Sequence, residues 1–264
     1  MTIVPFSTPV EGLTLRGSLS LPGDGTGRYP AVALFHGFGG NRTEGARLFV
    51  SLARALNDAG FAVLAWDRAG HGESDGEFFD THVTQDVRHA HAVLAALAAR
   101  PEIDPDGIHL VGLSLGSVIA AAVAAGSPVP IPALVMWSTA AVFVDDIASG
   151  QIQGRSLDTL DTVGYFDFMG QRMGPAMVRD ARDFDPYAAA AGYRGPTLLL
   201  HGTEDFVPVR YAERYLEVLG PEATLEVVPG ADHGWMTVPH RDHVIARTVQ
   251  HLLAHRSPRS GGAR

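Results

Sequence analysis

Ile108-His109-Leu110-Val111-Gly112-Leu113-Ser114-Leu115-Gly116-Ser117-Val118-Ile119-Ala120-Ala121-Ala122-Val123-Ala124-Ala125 runs from a short apolar, partly β-branched stretch into an Ala-rich one through a single sharp turn. The spacing predicts strand, turn and helix, with Ser114 at the apex of a G-x-S-x-G sequence. Such a turn holds the serine in strained backbone and presents its hydroxyl. The two glycines and the small Ser117 let helix and strand approach closely. A serine in this position is a nucleophile, and the sequence points to acyl-transfer chemistry.

The same alternation extends in both directions. Residues 3–21 read as two short strands around Glu11-Gly12. Ala31–Phe35, Phe61–Trp66 and Ala133–Trp137 are continuous apolar runs, the mark of strands buried on both faces. Thr197–Leu200 and Thr224–Val228 are the last two strands. Helical spacing covers about 45–58, 82–99, 208–219 and 241–255. This pattern predicts an α/β fold with a mostly parallel sheet and helices on both faces. Residues 140–190 break the alternation with mixed polarity and many aromatic and methionine residues. Fifty residues is too long for a connection, so the stretch is expected to be an inserted lid. The core is then 1–139 with 191–256, and the Gly/Ser/Arg-rich stretch 257–264 is expected to be a disordered tail.

The composition narrows the chemistry. A net charge of −9 argues against nucleic acid and anionic membrane as partners. The chain has no cysteine, so disulfides, thiolate metal sites and a cysteine nucleophile are out. All 20 basic side chains are arginine, which removes Schiff-base chemistry and a P-loop lysine. Met1–Phe6 lacks the charged and apolar regions of a secretory signal, and no apolar run approaches a membrane span. The expected location is the cytoplasm.

A serine hydroxyl needs a base, and the base needs an orienting carboxylate. Both should lie at the carboxyl ends of the parallel strands. His201-Gly202-Thr203-Glu204-Asp205 follows one strand and Gly230-Ala231-Asp232-His233-Gly234-Trp235 the next. His233 is the expected base and Asp205 its partner, with Glu204 and Asp232 as competitors. The N–H groups of Leu115 and Phe38, the latter in the Gly-rich loop after 31–35, are the expected oxyanion donors. His71 precedes the serine in the chain and reads as a turn residue. His89 with His91 and His240 with His243 read as solvated helix residues, and neither a metal nor another cofactor is expected.

Together HGFGGN (36–41), WDRAGHGESDG (66–76), GLSLG (112–116), HGTED (201–205), GADH (230–233) and DPY (185–187) carry a family resemblance. From about residue 10 to 255 the chain resembles the serine α/β-hydrolases, and within them bacterial cinnamoyl/feruloyl esterases. The resemblance implies an α/β-hydrolase fold with a lid after the sixth strand that holds an aromatic acid. It implies that a lid aspartate and a glutamine seven residues later touch phenolic hydroxyls, which falls here on Asp146 and Gln153. A lid tyrosine near Gly164 falls on Tyr165 or Phe166. Trp235 joins these as an expected substrate-binding residue, and the likeness alone suggests a homodimer.

The expected activity is hydrolysis of a small-molecule carboxylic ester through a serine acyl-enzyme, on hydroxycinnamoyl-type or other small acyl esters. Dehalogenases and epoxide hydrolases need a carboxylate at position 114, and dienelactone-type enzymes need cysteine. Carbon–carbon bond hydrolysis, thioester or peptide hydrolysis could use the same triad. A hydrolase fold that only binds its ligand is the non-catalytic alternative.

Overall fold

Consecutive residues of the central strands enter different cores. In a computed structural model that describes residues 1–256, Ala31, Ala33 and Phe35 pack into one buried cluster, while Val32 and Leu34 pack into another. That is why these strands read as unbroken apolar runs rather than as an alternation. The region 257–264, expected to be disordered, lies outside the described residues.

The chain begins with β1 (Thr2–Val10), β2 (Leu13–Leu21), β3 (Tyr29–Phe35), α1 (Leu48–Asp58), β4 (Ala62–Trp66) and α2 (Val83–Ala98). Then come β5 (Ile103–Leu113), α3 (Leu115–Ala125) and β6 (Leu134–Trp137). The stretch that follows holds α4 (Val142–Ala148), a small hairpin of β7 (Gln151–Ile152) and β8 (Arg155–Ser156), and α5 (Thr159–Thr162). A second hairpin of β9 (Phe166–Phe168) and β10 (Gln171–Met173) leads to α6 (Pro175–Asp183) and α7 (Pro186–Ala190). The chain returns to the sheet with β11 (Thr197–Glu204), α8 (Arg210–Leu219), β12 (Ala223–Asp232) and α9 (Val238–Ala254).

The eight long strands form one sheet in the order β1-β2-β4-β3-β5-β6-β11-β12. β1, β2 and β4 pair antiparallel, and the rest of the sheet is parallel. α2, α3, α7 and α8 cover one face; α1 and α9 cover the other. This is an α/β-hydrolase fold with helices on both sides of a mostly parallel sheet. Among the described residues no helix is long and apolar enough to cross a membrane.

The strand order reverses at β3 and β5: the chain leaves β3 for β4 on one side and returns to β5 on the other. A crevice opens beyond the carboxyl ends of strands at such a switch point. The loops that meet there are His36–Gly40 and the turn at Ser114.

The stretch 140–190, where the sequence breaks the alternation, holds two hairpins. The second reaches over the crevice: Gln171 Nε2 donates to Gly39 O at 2.8 Å, and the Phe168 and Phe38 rings lie 4.6 Å apart. α7, at the end of the insertion, packs on α3, and its Tyr187 ring meets Tyr215 of α8 at 4.8 Å.

Candidate active site

Ser114 sits between β5 and α3 with φ +58° and ψ −126°, a conformation that non-glycine residues adopt only under constraint. The constraints are visible. Ser114 N–H donates to Trp137 O at 2.9 Å, and its own carbonyl accepts from Ser117 Oγ at 2.7 Å. A Cβ at Gly112 would lie 2.4 Å from Gly116 O, and one at Gly116 would lie 2.1 Å from Phe35 O. Only glycine fits either place, so the G-x-S-x-G spacing follows from helix α3 lying directly on the end of β3.

The loops after β11 and β12 carry the other two residues to the serine. Ser114 Oγ and His233 Nε2 are 2.9 Å apart, and His233 Nδ1 and Asp205 Oδ1 are 2.7 Å apart. The Asp205 side chain is fully buried, and its carboxylate also accepts from Val207 N–H at 2.8 Å. Burial pushes its carboxyl up, but the hydrogen bond from His233 and the imidazole's charge outweigh burial and leave it below the usual aspartate value. An ionised Asp205 at Nδ1 places the neutral ring's proton there, and Nε2 is then free to accept from the hydroxyl. The competitors lie elsewhere: Glu204 is exposed, and Asp232 caps its own turn by accepting from Gly234 and Met236 N–H.

Phe38 and Leu115 both line the cavity at Ser114. Among the described residues no protein group accepts a hydrogen bond from either N–H. Two unpaired amides beside a nucleophile are what a developing oxyanion requires.

The cavity holds about 330 Å³. Val142, Phe143, Ile147, Phe168 and Met177 of the insertion and the adjoining segment form its apolar wall. Asp146 and Gln153 also reach it, and the Asp146 carboxylate accepts Gln153 N–H at 2.9 Å. Among the described residues its charged lining is Glu44 and Asp146, and no arginine lines it.

Three expected binding residues lie outside the cavity. Tyr165 faces away, with the Arg172 guanidinium 5.1 Å from its ring centroid. Phe166 is buried inside the insertion against Arg155. Phe168, two residues along the same strand face, takes the place at the cavity wall. Trp235 is fully buried in the core beneath α9, because its φ of +56° turns the ring inward. Its neighbours Gly234 and Met236 line the cavity instead.

Two cavity residues went unmarked by any motif. Glu44 accepts Gly37 N–H at 2.5 Å and Gly45 N–H at 3.3 Å. Burial pushes its carboxyl above the usual glutamate value, against those hydrogen bonds. Phe206 stacks on the His233 ring. The other histidines weighed in the sequence have separate partners: His71 Nδ1 lies 2.9 Å from Ala69 O, His240 meets Thr237 and His243 meets Glu226, while His89 is buried rather than solvated and meets Glu11. Among the described residues no three metal-ligating side chains converge.

A model of the alpha/beta hydrolase family matches residues 32–249. An uncharacterized protein of Mycobacterium tuberculosis is 26% identical over 223 residues, which span 84% of this chain and 69% of that one. A polyketide transferase of Gibberella fujikuroi is 33% identical over 136 residues, 49% of this chain and 40% of that protein. Among solved structures, Est1E from Butyrivibrio proteoclasticus with ferulic acid bound superposes with a TM-score of 0.85 at 25% identity, covering 95% of this chain and 98% of Est1E.

Proposed function

This chain belongs to the α/β-hydrolase family, and from that premise we propose that it hydrolyses carboxylic esters through a serine acyl-enzyme. One observation carries the reading: an unbroken hydrogen-bonded path from Ser114 Oγ through His233 to Asp205, at 2.9 and 2.7 Å. Ser114 attacks the ester carbonyl while His233 Nε2 takes its proton. Phe38 and Leu115 N–H groups hold the oxyanion. The protonated His233, held by Asp205, then gives the proton to the leaving alcohol. Water repeats the cycle on the acyl-enzyme and releases the acid. All the groups come from one chain, so this chemistry does not require the homodimer suggested by resemblance.

The acyl group we assign is aromatic, of the hydroxycinnamoyl type. Residues 140–190 act as the lid over the core of 1–139 and 191–256, and the acyl chain lies along Phe143, Phe168 and Met177. The apolar wall, the two polar lid residues Asp146 and Gln153, and the likeness to a structure that holds ferulic acid support this. Glu44 and Asp146 would repel a free carboxylate, which favours neutral esters and release of the acid product.

Ser114→Ala is expected to lower kcat by about 10⁴-fold or more, and a fluorophosphonate is expected to label the parent at Ser114 alone. Near-normal turnover by the variant, or an unlabelled parent, defeats the serine reading. Methyl ferulate and methyl p-coumarate should be turned over with higher kcat/KM than alkyl butyrates; equal values defeat the aromatic assignment.

A further inference from the structure

Behind the cavity lies a buried polar cluster that the proposed reaction does not use. Arg68, in the loop after β4, is 1% exposed. Its Nη1 donates to Asp86 Oδ2 of α2 at 2.6 Å, and its Nη2 donates to Gly37 O at 2.8 Å. Its backbone N–H donates to His36 Nε2 at 3.1 Å. Burial, then the charge of Arg68, pushes His36 well below the usual histidine value, so the ring is neutral. With Nε2 accepting, the proton is on Nδ1, which lies 2.9 Å from Gly37 O and donates to it. Gly40 N–H reaches the same oxygen at 3.2 Å. The Gly37 carbonyl is thus gripped by three donors, one of them a full cation.

That carbonyl and the Phe38 N–H belong to one peptide unit. The unit is planar and trans, so its C=O and N–H point in opposite directions. Holding the oxygen toward Arg68 aims the hydrogen at the cavity. A charge-assisted hydrogen bond on the carbonyl also polarises the amide and strengthens its N–H as a donor.

We propose that Arg68, anchored by Asp86, is a positioning residue that orients and polarises the Phe38 N–H toward the oxyanion formed at Ser114. The inference rests on the serine acyl-transfer reading. A merely structural pair would hold α2 to the β4 loop and leave the chemistry of a folded variant untouched.

Removing Arg68 alone strands a buried carboxylate, which is strongly destabilising, whereas replacing both partners by apolar residues is tolerated far better. The test is therefore the double variant Arg68→Met/Asp86→Leu, compared with the parent on an activated aryl ester. Three quantities are read: kcat and KM, affinity for an aryl trifluoromethyl ketone that forms an oxyanion at Ser114, and the rate of fluorophosphonate labelling. A folded double variant is expected to lose about 10- to 100-fold in kcat, a part of what loss of a whole oxyanion donor costs, with KM within about threefold. Ketone affinity and labelling rate should fall in parallel. Parent-like kcat and ketone affinity in the folded variant overturn the inference. If the double variant does not fold, Arg68→Lys answers the same question: its ammonium keeps a cation beside Asp86, so no buried carboxylate is stranded, but it lacks the planar fork that spans Asp86 and Gly37 O. Parent-like kcat and ketone affinity in that variant again overturn the proposal. A parent that does not label at all would instead defeat the serine reading beneath it.

Discussion

The Phe206 ring lies on the imidazole of His233, with centroids 4.2 Å apart and planes inclined by 39°. Phe206 is 54% exposed, so it adds little to the core. It covers the face of the ring that would otherwise meet water, and it limits the ways His233 can tilt. An aromatic pair contributes roughly 0.5–1.5 kcal/mol, so Phe206→Ala should lower kcat about two- to tenfold. Its melting temperature should fall by no more than about 1–6 °C. A variant with full kcat would show that the stack does not hold the imidazole.

Asp205→Asn keeps the shape of the site and removes the charge. The amide can offer an N–H to Nδ1, which moves the ring's proton to Nε2 and leaves no acceptor for the hydroxyl. The expected loss in kcat is about 10⁴-fold. The Asp205 carboxyl lies below its ordinary 3.8 in the folded protein. Its contribution to stability is therefore present above that pH and lost as pH falls through the lowered value. Acid unfolding of the parent should show this extra loss below about pH 4, and the asparagine variant should not.

Ser114, Asp205 and His233 are legible because each follows a parallel strand with a glycine within three residues, and such fragments must converge at one sheet edge. Phe38 and Leu115 were legible for the same reason. The insertion was legible only as an interruption. Which of its aromatics meets the cavity depends on hairpin register, where a shift of one residue exchanges the faces. That is how Tyr165 came to lie over Arg172 while Phe168 reaches the cavity. Trp235 follows His233 by two residues, but its left-handed backbone turns it into the core, which no periodicity signals. No motif marks Glu44, because only the folded path of the loop brings its carboxyl to Gly37 N–H.

Glu44 and Asp146 make the cavity wall acidic, which should select against anionic esters. Glu44→Gln retains an oxygen for Gly37 N–H and deletes one charge. On a neutral ester kcat should stay within about threefold, while relative kcat/KM for a carboxylate-bearing ester such as monomethyl succinate rises about tenfold. Burial holds the Glu44 carboxyl above its ordinary 4.5, so ionising it works against the fold. Parent stability is favoured below that pH and declines as pH rises through the raised value. The glutamine variant should therefore gain on the parent from pH 4 toward pH 7 in chemical denaturation. Identical ester selectivity in the two proteins would remove Glu44 from substrate choice.

Gly116 and Gly154 separate close approach from backbone strain. A methyl group at 116 meets Phe35 O at 2.1 Å and His36 O at 2.5 Å, both main-chain atoms that cannot swing aside. At 154 φ is +74° and nothing lies within 4 Å. Gly116→Ala should cost about 3 kcal/mol or more and lower Tm by roughly 6–12 °C, whereas Gly154→Ala should cost about 1 kcal/mol. Equal melting temperatures would mean that α3 can retreat from β3 to admit the methyl group.

His109, in the middle of β5, is fully buried, and neither ring nitrogen has a hydrogen-bond partner. Its ring meets Phe61 edge-on at 5.5 Å. Burial above all, then the charges of His251, His255 and Arg256, lowers it from the ordinary 6.5 to about 3. Between those values the unfolded chain binds a proton at this side chain and the folded one does not. Acidification therefore favours unfolding, at up to about 1.4 kcal/mol per pH unit from this residue. His109→Leu keeps the volume, removes two orphaned polar atoms and cannot titrate. It should be more stable than the parent at pH 7, by about 1 kcal/mol. Its advantage should widen as the solution is taken to pH 4. His71 and His251, lowered to about 3 and about 4, keep some acid sensitivity in the variant. Denaturation curves of the two proteins at several pH values decide the matter, since parallel stability profiles would show that His109 is protonated equally in the folded and unfolded chains.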